Sequence, residues 1–144
     1  MTTIIDMTPD VGLSGSVEPS IWTDIEVGDS NNTLVGVSSA RDGAGANNVY
    51  VGFESGLNTI GSSNTIVGTE AGKFSTDSDN NVFIGHRSGY LNTANVENNI
   101  AIGKNSGNFT GSSNILLGNQ SEIHEGQRVK HTCIIGNDSI GSES

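Results

Sequence analysis

One block returns seven times along this 144-residue chain and constrains its fold more than any other feature. The copies read NNTLVG ending at Gly36, NNVYVG at Gly52, SNTIVG at Gly68, NNVFIG at Gly85, NNIAIG at Gly103, SNILLG at Gly118 and HTCIIG at Gly136. Successive glycines lie 16, 16, 17, 18, 15 and 18 residues apart, the length of one short supersecondary unit and not of a heptad. A chain repeating at that period winds on itself. The expectation is a solenoid of about seven turns over residues 31–144, whose work is to present a rigid surface.

Within each block the three residues before Gly are rich in β-branched side chains and predict a short strand, which Gly releases into a turn. Side chains alternate along a strand, so the residues one and three before Gly share a face and the middle residue takes the other. The first set, Thr33/Val35, Val49/Val51, Thr65/Val67, Val82/Ile84, Ile100/Ile102, Ile115/Leu117 and Cys133/Ile135, is assigned to the interior of the coil. The middle set, Leu34, Tyr50, Ile66, Phe83, Ala101, Leu116 and Ile134, then forms an outward apolar stripe. With turns stacked about 4.8 Å apart the stripe would be about 30 Å long, a patch that soluble monomers seldom expose, and closed self-association is the simplest way to cover it.

Asn stands four residues before Gly at Asn32, Asn48, Asn64, Asn81, Asn99 and Asn114, with Thr132 in the last copy. These side chains are expected to stack into a ladder that satisfies turn backbone groups and one another. Three residues after Gly comes a small residue, Ser39, Ser55, Ala71, Ser88, Ser106, Ser121 or Ser139, as a tight corner between closely stacked turns requires. The segment that follows varies in length, and its longest insertion, Glu122 to Lys130, is assigned to an outward loop.

Only 33% of the residues are hydrophobic, too little for a compact globule but enough for a coil in which each turn buries its neighbours. Sixteen acidic residues against six basic ones give a net charge of −10, spread along the chain. That balance argues against nucleic acid as a partner, which calls for clustered Lys and Arg. It reads as a solubility feature, with complementarity to a basic partner as the alternative. Cys133 is the single cysteine, so no disulfide forms within one chain, and its strand slot suggests a small buried hydrophobe. No apolar run approaches the roughly 18 residues of a membrane helix, and Met1 to Asp10 carries no signal-peptide pattern, so membrane insertion is not expected.

Residues 1–30 stand outside the repeat and hold both prolines, Pro9 and Pro19, and the only tryptophan, Trp22. Ile21, Thr23, Ile25 and Val27 alternate with Trp22, Asp24 and Glu26, the pattern of a strand with one apolar face. The segment is read as an extended N-terminal arm that docks on a partner through Ile4, Ile5, Met7, Ile21 and Trp22.

The block Asn80 to Ser88, NNVFIGHRS, and its relatives resemble the head repeat of trimeric autotransporter adhesins, in which a short apolar strand precedes Gly and a Ser follows three residues later. Similar blocks occur in bacteriophage tail fibres and related virion proteins. The resemblance spans residues 31–141 and implies an all-β, left-handed parallel β-roll or β-helix in which three chains pack with their short strands toward a shared axis. On that implication the middle set of strand residues is the trimer interface. The export signal, coiled-coil stalk and anchoring barrel of whole autotransporters are not found in these residues, and neither is a long shaft or a separate receptor-binding tip.

No catalytic, cofactor-binding or metal site is assigned. The six-residue register of left-handed acyltransferase coils does not persist, and the calcium-binding GGxGxD, the phosphate-binding GxxxxGK[ST] and the GxSxG elbow are absent. Asp42, Asp77 and Asp79 lack the ligand alternation of an EF-hand. His86, His124 and His131 share no repeat slot and read as exposed or turn residues, although three symmetry copies of His86 could meet a metal on an axis. The functional expectation is a structural virion protein, a homotrimeric knob that decorates or cements a bacteriophage capsid through its N-terminal arm. Its partners would be itself and the major capsid protein or another virion protein. The alternative is a short tail fibre, an adaptor or an adhesin head that binds a host surface glycan.

Overall fold

The computed structural model describes residues 25–27, 31–40, 45–91, 96–107, 110–123 and 128–141. Among them there is no helix, and the chain is an all-β parallel solenoid. In chain order the strands are β1 (Ile25–Val27), β2 (Thr33–Val35), β3 (Val49–Val51), β4 (Thr65–Val67), β5 (Ser78–Asp79), β6 (Val82–Ile84) and β7 (Val96–Glu97). They continue with β8 (Ile100–Ile102), β9 (Thr110–Ser112), β10 (Ile115–Leu117), β11 (Glu122–Ile123), β12 (Arg128–Lys130), β13 (Cys133–Ile135) and β14 (Ile140–Gly141).

Each apolar triplet before a repeat Gly is a strand, and these strands stack in parallel in the order β2-β3-β4-β6-β8-β10-β13. Register is kept throughout: Leu34, Tyr50, Ile66, Phe83, Ala101, Leu116 and Ile134 stand opposite one another from strand to strand. β1 lies antiparallel on β2, with Ile25 opposite Val35, and so covers the first edge of the sheet. Parallel two-stranded ladders β5-β7, β9-β12 and β11-β14 build the remaining walls. The segment from Glu122 to Lys130 is therefore not simply an outward loop. Its two ends are wall strands, and Ile123 is buried in the core.

The burial pattern reverses the expected faces. Tyr50, Ile66, Phe83, Ala101 and Leu116 are fully buried inside the coil, and Leu34 and Ile134 pack against them at its two ends. The residues one and three before Gly face outward, half-buried or exposed. Cys133 is among them and is exposed, not buried. The cause is the asparagine two residues ahead of the middle strand position, which has the same parity and faces the same way. Asn48, Asn64, Asn81, Asn99 and Asn114 all have their side chains inside, so the middle residue must follow them in.

Those amides form the expected ladder and do more than stack. Each Oδ1 accepts the backbone N–H of the next Asn along the coil: Asn32 from Asn48 at 2.9 Å, Asn48 from Asn64 at 2.8 Å, Asn64 from Asn81 at 2.9 Å, Asn81 from Asn99 at 2.9 Å and Asn99 from Asn114 at 2.9 Å. Thr132 N–H closes the series on Asn114 at 3.0 Å. Each Nδ2 donates across the corner to a carbonyl of another wall, from Asn48 to Gly61, Asn64 to Ser78, Asn81 to Val96 and Asn99 to Gly111. The residue before each of these asparagines is left-handed, with φ between 57 and 63°, which accounts for the Asn-Asn and Ser-Asn doublets of the sequence.

At the opposite corner the hydroxyls of Ser55 and Ser88 donate to the carbonyls of Ile66 and Ala101 on the next turn, at 3.1 and 2.8 Å. The small residue is kept there because the corner is closed. Stacking is just as tight at the repeat glycines: a Cβ on Gly85, whose φ is +128°, would stand 2.5 Å from the Gly103 carbonyl oxygen.

Asn81→Leu keeps the branching of the side chain, at a larger volume, but strands the Asn99 N–H and the Val96 carbonyl inside the coil. It should lower stability by about 3 kcal/mol or more, as two buried unsatisfied groups at 1–3 kcal/mol each require. Chemical denaturation of the variant beside the parent measures the loss.

Candidate interaction surfaces

The outward side of the eight-stranded sheet carries two apolar columns, one residue and three residues before each Gly. Val49, Ile84, Ile102 and Ile115 are 36–39% exposed, and Ile135 is 74% exposed. Val35, Val51, Val67, Val82, Ile100 and Leu117 fill the same face and are half-buried by their neighbours. A stripe about 30 Å long is therefore present, as six intervals of about 4.8 Å require, but it is built from the residues first assigned to the interior. Leu34, Tyr50, Ile66, Phe83, Ala101, Leu116 and Ile134 do not form it. Tyr50, Ile66, Phe83, Ala101 and Leu116 are buried in the core of their own coil, and Leu34 and Ile134, half-buried, pack against it at its ends.

A second surface lies past the glycines, where the turns carry charge and aromatic rings. Lys73 Nζ donates to Glu54 Oε2 at 2.5 Å and to Glu70 Oε1 at 2.8 Å, and Arg87 Nε donates to Glu70 Oε2 at 2.6 Å. Those bonds hold the Glu70 carboxyl below its usual range, Lys73 contributing most and Arg87 next, and they push the Lys73 ammonium upward, with Glu54 as the main cause. The Lys73 ammonium sits 5.5 Å from the centre of the Phe74 ring, and the Arg87 guanidinium 5.1 Å from that of Tyr90. Phe74 and Tyr90 meet edge to face at 5.2 Å. The cluster has little signal in the sequence because its ion pairs join residues 3 to 19 apart that meet only when the turns stack. Its only sequence signal is the coincidence of Glu54, Glu70 and Arg87 in one repeat slot.

Among the described residues no three His, Cys, Asp or Glu side chains gather as a metal site, and no helix is long and apolar enough to cross a membrane. His86 and His131 are exposed. Asp79 accepts the Ser62 N–H at 2.6 Å and serves the turn. The arm residues Ile4, Ile5, Met7, Ile21 and Trp22, and also His124 and Asp42, lie outside the described residues. No family model, curated protein or solved structure matches this chain.

The two faces of one strand separate core from contact surface. Phe83→Asp places a carboxylate where a ring is fully buried and should abolish the folded coil, at a cost of about 4 kcal/mol or more. Its neighbour Ile84→Asp, on the outward side, should leave the far-ultraviolet circular dichroism of the coil intact. A folded Phe83→Asp beside an unfolded Ile84→Asp would reverse the assignment.

Proposed function

We propose that this chain is a structural virion protein, a left-handed β-helical knob that assembles as a homotrimer and decorates or cements a bacteriophage capsid through its N-terminal segment. The observation that carries the reading is the outward sheet face. Seven strands in parallel register present Val, Ile and Leu on the side away from the coil's own core, and a net charge of −10 elsewhere keeps other contacts weak. A second copy is the occupant this face fits, because each chain brings the same ladder at the same spacing and symmetric closure hides all copies at once. The resemblance of the repeats to trimeric adhesin heads and phage fibre proteins supports three copies about an axis.

The attachment end follows from the entry of the chain. β1, with Ile25 opposite Val35, covers the first edge of the solenoid, and that edge is the end we assign to the shell, with the coil projecting from it. Trp22, with Ile21, is the anchor this reading needs, since a single aromatic in a pocket carries much of an interface's energy. A tail-fibre or adaptor role is the second reading, favoured by the exposed rings and charges around Arg87.

Sedimentation of the parent should give a trimer, and Ile84→Asp should sediment as a monomer. Removing residues 1–24 should preserve the trimer and its melting temperature but abolish binding to purified particles. Immunogold labelling of those particles should mark the capsid. Label confined to the tail would move the protein to the second reading, and a monomeric parent would remove the assembly on which both depend.

A further inference from the structure

The second residue after each repeat Gly is left-handed throughout: Ser38, Glu54, Glu70, Arg87, Asn105, Gln120 and Asp138 have φ between 51 and 57°. Backbone preference alone puts Gly, Asn or Asp at such a site. Glu54, Glu70 and Arg87 occupy it on three successive turns, so these side chains are held there for what they contact. Their contacts are one connected chain, Glu54 to Lys73 to Glu70 to Arg87, which fixes two cations against the Phe74 and Tyr90 rings.

The result is a rigid platform with unused recognition groups. Arg87 gives its Nε to Glu70, and its two terminal nitrogens make no hydrogen bond among the described residues. Its side chain is 46% exposed, and the Tyr90 hydroxyl likewise makes no hydrogen bond among them. Phe74 and Leu91 are exposed beside the pair. His86, the residue before Arg87, and Lys104, in the same column one turn on, are both exposed, and Lys104 brings a cation to this side of the coil.

The main chain at this edge is already committed. Phe74 N–H donates to Tyr90 O at 3.1 Å, Gly72 N–H to Ser88 O at 2.8 Å and Arg87 N–H to Thr69 O at 3.0 Å. These three N–H groups are not free to pair with an added strand, and the free donors described above are on side chains. Parallel guanidinium donors beside ring faces suit a ligand with a carboxylate and a flat C–H surface.

We propose that the patch formed by Arg87, Tyr90, Phe74 and Lys104 binds a carboxylate-bearing saccharide. The outer edge of the Arg87 guanidinium takes the carboxylate in two parallel N–H···O bonds, the rings take the C–H face of the sugar, and Lys104 adds attraction from the side. The proposal rests on the reading of this chain as a surface protein of a particle, and it needs this edge to stay open in the assembly.

The full chain is titrated with sialyllactose and with trigalacturonate, using lactose and maltotriose as neutral controls, while sedimentation and melting temperature are followed on the same samples. At least one acidic saccharide should bind at least about tenfold more tightly than its neutral control. Arg87→Gln and Tyr90→Ala should each weaken that binding at least about tenfold. Arg87→Lys, which retains the charge but not the fork, should fall between Arg87→Gln and the parent, with assembly and melting temperature unchanged in all three. Equal affinity for acidic and neutral saccharides, no binding of either, or full binding by a folded Arg87→Gln would overturn the proposal. So would loss of the trimer in Arg87→Gln, because the patch would then be a contact between copies. A monomeric parent that still binds the acidic saccharide would sink the assembly reading and leave the site standing.

Discussion

The hydrogen bond from each backbone N–H at an asparagine to the amide oxygen of the asparagine one turn before is the constraint on which the rest of this fold depends. A coil this narrow has a core one strand residue wide on its main wall, so its corners bring main-chain polar groups close to the centre. Water does not reach them, and an unpaired buried group costs about 1–3 kcal/mol. One asparagine per turn meets two such needs at once, an N–H along the coil and a carbonyl across it. Asp offers no amide donor and Leu neither partner.

The ladder also fixes direction. With the amide inside, the residue two further on is inside, and the two residues flanking it are outside. A single parity choice thus assigns Tyr50, Ile66 and Phe83 to the core and Val51, Val67 and Ile84 to the surface. Glycine then sets the pitch: at Gly52, Gly68 and Gly85 the main chains of adjacent turns approach so closely that any side chain would displace the neighbour. Polar stapling and close stacking together let a chain with little hydrophobic content form a continuous solid.

Much of this was legible in the sequence. The repeat located the seven parallel strands of the main sheet, the asparagine ladder and the small-residue corner. The faces were misread because a three-residue strand, taken by itself, has no intrinsic inside, and two apolar residues seemed a better lining than one. The decisive signal was present in the shared parity of Asn81 and Phe83, which alternation over five residues would have shown. The ends of the segment from Glu122 to Lys130 were missed for a different reason. Their pairing partners, Ile140–Gly141 and Thr110–Ser112, come from different repeats, and nothing local in Glu122–Ile123 or Arg128–Lys130 announces them. The cluster of Glu70, Lys73, Arg87 and Tyr90 likewise exists only once the turns are stacked.

Function in such a molecule is a matter of which residues the winding brings out. The outward apolar columns and the turn-edge rings with their fixed cations are products of the same ladder, since each depends on turns staying in register. Native-state hydrogen exchange tests that claim most directly. The backbone amides of Asn64, Asn81 and Asn99, each bonded to a buried side-chain oxygen, should exchange in the slowest class, with the core strands. Exchange at these positions as fast as at the exposed turn residues Val37 and His86 would contradict the account.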